Sequence, residues 1–168
     1  PDFSQVESDV PMIMANQTFA MSFPEKRTFF LEGAQLLKSD METVYTRSIT
    51  NPLGALKFIN QGANSSTYLM QATDTDSPYL AAGQYKSFRG NAGKSKVTIG
   101  RYKKNLGNQS HIGIIATNRD YQVGGSGSLI EFDSLINFLD DYILDLNYAR
   151  SDTQEGNVNF IDTHETFA

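Results

Sequence analysis

The sequence predicts an all-β fold of antiparallel, up-and-down strands, with a short helix or irregular segment near the N-terminus. Three observations predict it. Residues 129–150 alternate apolar and polar side chains twice around an acidic turn, Asp140-Asp141. From about Thr43 onward, short alternating segments are separated by clusters of Gly, Asn, Asp, Ser and Pro, the residues that favour turns. No apolar run approaches the roughly 20 residues of a membrane helix, and the spacing does not suit βαβ units.

The hairpin carries the clearest pattern. Ile130, Phe132, Ile136 and Phe138 fall on one face of its first strand, interrupted by Ser134. Glu131, Asp133 and Asn137 fall on the other, with Leu129, Leu135 and Leu139. In the second strand Tyr142, Leu144, Leu146 and Tyr148 share a face; Asp145, Asn147 and Ala149 oppose them, with Ile143 at the start. Successive strand side chains point to opposite faces, so one surface is greasy and the other wet. The span from Tyr142 to Tyr148 is about 20 Å at roughly 3.4 Å per residue. An apolar span bracketed by amphipathic rings is the pattern of a strand crossing a bilayer. On this reading Ile130, Phe132, Ile136, Phe138, Tyr142, Leu144, Leu146 and Tyr148 face lipid, and the fold is part of an outer-membrane β-barrel.

Taken in order, residues 1–9 are polar and extended, and 12–23 alternate loosely through Met12, Met14, Phe19, Met21 and Phe23. Pro24 can open a short helix, where its missing N–H costs nothing. Phe29, Gly33, Leu36 and Leu37 would then share a face, although Gly33 weakens that helix. Strands are expected over 44–49, 54–61, 66–73, 80–89, 95–104, 111–121, 128–138, 142–150 and 157–162. The breaks lie at 51–52, 62–64, 74–78, 90–93, 105–108, 124–127 and 151–156. The chain thus divides into 1–42, an extended segment with a charged and aromatic turn that suits a plug or barrel entry, and 43–168, a hairpin array within a larger barrel. Open edges invite pairing with other chains, so the remaining chain or another copy is expected to close the sheet. The opening on Pro1 and the strand-like 157–168 suggest an internal piece of a longer, processed polypeptide.

Composition sets outer bounds. The 168 residues suffice for one domain with a core. A net charge of −5 argues against a nucleic-acid surface, which is normally basic. With no cysteine, disulfides, thiolate metal sites and cysteine nucleophiles are excluded. Gly124–Ser128 lacks the Lys-Ser/Thr of a phosphate loop and no helix follows it. The sequons at Asn16, Asn64 and Asn108 matter only in a eukaryotic secretory context. His111 and His164 have no matched ligand spacing despite the DTHE string at 162–165. Asp140 and Asp141 are neighbours in a tight turn, whereas glycosidase carboxylates face each other at roughly 5–10 Å. No catalytic residue, metal or cofactor is assigned.

Two charge patterns remain. Glu25, Lys26, Arg27 and Glu32 crowd around Phe29 and Phe30. The favoured reading is a turn locked by ion pairs; the alternative is a plug or lumen constriction in which these residues and Arg47 contact a polar or anionic ligand. Arg47, Lys57, Arg101, Lys103, Arg119, Glu131, Asp133 and Asp145 fall in the strand segments. In a barrel they point inward, because charge on the lipid face costs about 2–4 kcal/mol at midplane; in a soluble sandwich they face solvent.

The N-terminal PDFSQVESD, the FPEKRTFFLEG string at 23–33, and YTRSI, GALKFINQG, IGIIATNRD and DDYILDLNYARSDT further on carry a family resemblance. They resemble a family of Gram-negative outer-membrane proteins in which a module similar to family 9 carbohydrate-binding modules precedes a C-terminal β-barrel domain of unknown function. The chain resembles the start of that C-terminal domain. It departs at Thr28, where the family has proline, and at Ser48 and Thr50, where the family reads TRRIG. The resemblance implies outer-membrane lipid as partner and a non-enzymatic role in glycan capture or passage. The alternative is a soluble periplasmic or cell-surface carbohydrate-binding or carbohydrate-active β domain.

Overall fold

The computed structural model describes residues 24–82, 87–138 and 142–156. Eight strands lie among them. Six form one antiparallel sheet in the order β1 (Pro52–Gln61), β2 (Ser65–Asp74), β5 (Ser95–Gly107), β6 (Ser110–Tyr121), β7 (Gly125–Phe138) and β8 (Tyr142–Glu155). The other two, β3 (Pro78–Ala82) and β4 (Ser87–Asn91), pair as a separate hairpin inserted between β2 and β5. The all-β, up-and-down reading therefore holds. The sheet is open, with β1 and β8 at its edges.

Three expected elements differ, and the expected breaks at 105–108 and 124–127 are shorter, because β5 runs through Gly107 and β7 begins at Gly125. The segment 44–49 is not a strand: Thr46–Ser48 forms a 3₁₀ turn. Arg27 explains this, because its guanidinium donates to the carbonyls of Thr46 at 3.1 Å and Ile49 at 2.6 Å and so takes acceptors that a strand would offer to a neighbour. The expected strand 80–89 belongs instead to the two arms of the β3–β4 hairpin. The expected break at 151–156 is strand through Glu155, because β7 begins at Gly125 and offers Ser126–Leu129 as partners for Ser151–Gln154. The expected strand 157–162 lies outside the described residues.

The N-terminal helix is one turn, α1 (Thr28–Leu31). It ends at Gly33, whose φ of +78° is left-handed, and a 3₁₀ turn (Ala34–Leu37) follows. A side chain at Gly33 would strain the backbone. It would also meet the sheet, since an added Cβ would stand 2.4 Å from Ile59 Cδ1. The break therefore lets the chain lie flat on β1 and β2. Phe30, Leu36, Leu37 and Ile49 are buried against Tyr68, Met70, Ala72, Val97 and Ile99 of β2 and β5. The hydrophobic core sits between this N-terminal block and one face of the sheet. Each large side chain buried there contributes about 1.5–3 kcal/mol.

Gly33→Ala is expected to destabilise the fold by about 2 kcal/mol, combining left-handed strain with the clash at Ile59. Denaturant titration of Gly33→Ala, Ile59→Ala and the double variant checks this. The double variant should relieve the clash and keep the strain, so its cost falls below the sum of the two.

Candidate functional site

Register assigns the paired residues of the six-stranded sheet to one face or the other. Partners across the sheet form continuous rows; one runs Ile59, Tyr68, Arg101, Ile115, Glu131 and Ala149. The face that this row shares with the N-terminal block is the inner face. Lys57, Arg101, Lys103, Arg119, Glu131, Asp133 and Asp145 all lie on it. Arg47 does not; it sits in the Thr46–Ser48 turn and donates to Pro24 O at 2.9 Å.

The inner face has two regions. Over β1, β2 and β5 it is largely apolar and carries the N-terminal block. Lys57 anchors that block: its Nζ donates to Phe29 O at 2.5 Å and Glu32 O at 2.9 Å, pairs with the Glu32 carboxylate at 3.0 Å, and lies 4.6 Å from the Phe29 ring centre. Those are carbonyls left free at the end of α1, where a cation is favoured. Arg27, 3 % exposed, fastens the other side of the block. Its Nε and Nη2 grip the Glu25 carboxylate at 2.9 and 2.8 Å, and its guanidinium lies 4.1 Å from the Phe30 ring centre. Glu25 also accepts from the backbone of Lys26 and Arg27 and from the Thr46 hydroxyl. Thus Glu25, Arg27 and Glu32 are engaged in holding a turn together, and Lys26 is exposed beside them.

Over β6, β7 and β8 the inner face mixes charges with apolar residues, among them buried Ile115 and Ile143, which is 70 % exposed. Arg101 on β5 reaches past β6 to the Asp133 carboxylate on β7, with both nitrogens of its fork donating, one at 2.8 Å and one closer. It crosses at Gly113, where an added Cβ would stand 2.7–2.8 Å from the guanidinium. Glycine is thus the residue that admits the bridge. His111 Nε2 lies 3.5 Å from the same carboxylate. Glu131 is fully buried and accepts a hydrogen bond from Thr43 of the N-terminal block. Arg119 donates to Ser48 Oγ at 3.0 Å, so the block is tied to β6 as well.

The outer face is the reverse. Leu56, Phe58, Leu69, Tyr102, Ile114, Ile130, Phe132, Phe138, Tyr142, Leu144, Leu146 and Tyr148 are each between 42 and 78 % exposed. The eight hairpin residues expected on one surface do share it, with Phe132 opposite Tyr148, Ile136 opposite Leu144 and Phe138 opposite Tyr142. Phe138 and Tyr142 stack at 5.5 Å. Alternation in 129–150 pointed to this face. The contributions of Leu56, Phe58, Leu69 and Tyr102 are not legible in the sequence, because each of their strands supplies only one or two such residues. Among the described residues no three His, Cys, Asp or Glu side chains are grouped to hold a metal ion, and no helix is long and apolar enough to cross a membrane.

Glu25 should make the block acid-sensitive. Burial pushes its carboxyl up, but the Arg27 and Thr46 hydrogen bonds and the Arg27 charge outweigh this and bring it down to about 2 from 4.5. A depressed folded-state value stabilises fully above 4.5, and that stability is lost as pH falls from there toward 2. The expected result is a wild-type midpoint that drops through this window and a Glu25→Gln midpoint that drops less. Gly113→Ala should cost about 2–4 kcal/mol by pushing Arg101 off Asp133. Little further loss is expected when Asp133→Asn is added, which a double-mutant cycle reads directly.

Comparison with known proteins adds one match. Residues 1–76 match the model of a family described as a domain of unknown function (DUF5916). No curated protein and no solved structure matches.

Proposed function

We propose that this chain is part of a non-enzymatic outer-membrane β-barrel, with its N-terminal block lying in the lumen as a plug and its polar interior serving the capture or passage of a polar ligand such as a glycan. The observation that carries the reading is how the outward-facing apolar residues that pair in register are placed from strand to strand, Leu53 and Leu106 at the irregularities of β1 and β5 apart. Referred to β7 by the pairing rows, their centre lies level with Leu129 in β1 (Leu56 and Phe58), with Ile130 in β2 (Leu69), with Phe132 in β5 and β6 (Tyr102; Ile112, Ile114 and Ala116), with Ser134 in β7 and with Leu135 in β8. The band drifts steadily along the strands.

Geometry gives the drift a meaning. Six residues of drift are about 20 Å along the strand, and five strand spacings are about 24 Å across it. A level apolar belt would then be crossed by strands tilted about 40°, inside the roughly 35–45° of membrane barrels. Polar and charged side chains bound the band: Ser128 and Ser126 follow Ile130 on the outer face of β7, and Arg150 and Asp152 follow Tyr148 on that of β8. Tyr148 at one boundary and Tyr142 at the other suit the interfacial preference of aromatic rings. The inner charges would face the lumen, where Arg101 with Asp133 and Lys57 with Glu32 are paired. Glycan as the ligand rests on the resemblance of the sequence and on the polarity of this face.

Leu146→Arg tests the membrane assignment. On the lipid face it should cost about 2–4 kcal/mol near midplane; on an exposed soluble surface it would change stability by at most about 0.5 kcal/mol. The comparison is made on protein refolded with detergent or lipid, alongside heat-modifiable gel mobility. A monodisperse protein in plain buffer that tolerates Leu146→Arg would overturn the barrel and favour a soluble carbohydrate-binding domain, which glycan binding would then test.

A further inference from the structure

Among the described residues four buried side-chain atoms lack a hydrogen-bond partner: Arg101 Nε, and three oxygens carried by the Ser39–Thr43 segment, β7 and β8. The oxygens are Glu131 Oε1, Asn147 Oδ1 and the Ser39 hydroxyl. Glu131 is fully buried, and no cationic side chain of the described residues comes within ion-pairing distance of it. Its other oxygen is held by Thr43. Asn147 is also oriented, because its Nδ2 donates to Asp40 at 3.1 Å and to Asp145 at 2.8 Å. With the amide nitrogen committed, its oxygen is fixed in direction. Glu131 and Asn147 lie on the same face of neighbouring strands, Glu131 opposite Ala149 and Asn147 opposite Asp133. Such diagonal neighbours are about 7–8 Å apart at Cα, within reach of long side chains. The contacts Thr43–Glu131 and Asp40–Asn147 bring the Ser39–Thr43 segment across both.

A buried carboxylate without a counter-charge is costly by several kcal/mol, and a buried polar atom without a partner is uncommon. The unsatisfied set here is a carboxylate, an amide carbonyl and a hydroxyl. These are all hard oxygen donors, the ligand types of calcium. The Asp40 and Asp145 carboxylates that orient Asn147 add negative potential.

We propose that Glu131, Asn147 and Ser39 bind a hard divalent cation of the calcium type, which clamps the N-terminal block to the β7–β8 hairpin. The inference stands whether the outer face meets lipid or not. A cation between Glu131 and Asn147 would supply the partner that each oxygen lacks, with Ser39 reaching it from beside Asp40, which bonds Asn147. Its ligands come from the block and from the strands, so binding stabilises their docked arrangement by mass action.

The test uses the folded protein, in detergent or plain buffer as its solubility dictates, stripped with a chelator. Terbium is the probe, excited through tyrosine because the chain has no tryptophan. The expected result is terbium emission that calcium competes away, with calcium also raising the unfolding temperature. Glu131→Gln and Ser39→Ala should each weaken binding by about 10–100-fold, the scale on which metal sites respond to lost supporting contacts. Asp120→Asn, on the opposite face of the sheet, should leave binding unchanged. Absence of emission from folded wild-type protein overturns the proposal. Emission that survives unweakened in folded Glu131→Gln overturns it too. Should Glu131→Gln fail to fold, Ser39→Ala decides, because it removes one oxygen and little else.

Discussion

Lys57 is the contact on which the arrangement of the N-terminal block depends. It projects from an edge strand onto the inner face, where a lone ammonium would be poorly placed beside Ile59 and Tyr68. The carbonyls of Phe29 and Glu32, with the Glu32 carboxylate, supply its partners. In return the ammonium satisfies acceptors that a one-turn helix leaves open. A helix of four residues has too little internal bonding to persist alone. Holding its end on β1 fixes where Gly33 turns, and hence where Phe30, Leu36 and Leu37 meet the sheet. Arg27 performs the complementary task. Its donors go to Glu25 and to the carbonyls of Thr46 and Ile49, so the block closes on itself before it reaches β1.

The charged region of the inner face solves a different problem. Arg101 and Asp133 are separated by β6, and neither could remain buried without the other. The pair forms because Gly113 leaves no side chain between them. A fork of two parallel N–H donors suits a carboxylate and fixes both side chains in one geometry. The inner face thus combines an apolar floor covered by the block with a polar floor whose charges bridge strands. The Thr43–Glu131 and Arg119–Ser48 contacts join the two regions. Displacement of the block would therefore expose Phe30 and Tyr68 and also leave Glu131 without its one hydrogen bond.

What could be read from the sequence follows from the range of the forces involved. The strands of the 129–150 hairpin were legible because period-2 alternation is local and each strand repeats it. Most other strands were legible for the same reason, bounded by turn formers such as Gly62–Asn64 and Asn108. The segment 44–49 was not: Val44, Tyr45 and Ile49 favour strand, but Arg27, some twenty residues away, takes the carbonyls. The arms Pro78–Ala82 and Ser87–Asn91 read as one strand over 80–89 because a single glycine between them is a weak break signal. At 151–155 polar residues that read as a break are carried by pairing with β7. On the inner face the individual charges were visible and their pairing was not. Nothing in the sequence placed Arg101 opposite Asp133 across an intervening glycine, or brought Thr43 to Glu131 from 88 residues away.

The slide of the apolar residues along successive strands has a further consequence. A sandwich core needs its inward residues level with those of the facing sheet, and the angle between two packed sheets is about 30°. Its apolar patch can therefore follow the strands with little drift. A bilayer imposes a level belt on strands that must tilt to close, so each strand has to carry its apolar window at a different distance from its turns. In β1 that window ends at Phe58, four residues before Gly62; in β8 it begins at Tyr142, the first residue of the strand. This difference reverses no hydrophobic residue to the inner face and leaves the pairing register intact. It changes only where along each strand the outward residues become apolar. On the proposed reading, a fixed belt crossed by inclined strands accounts for this drift.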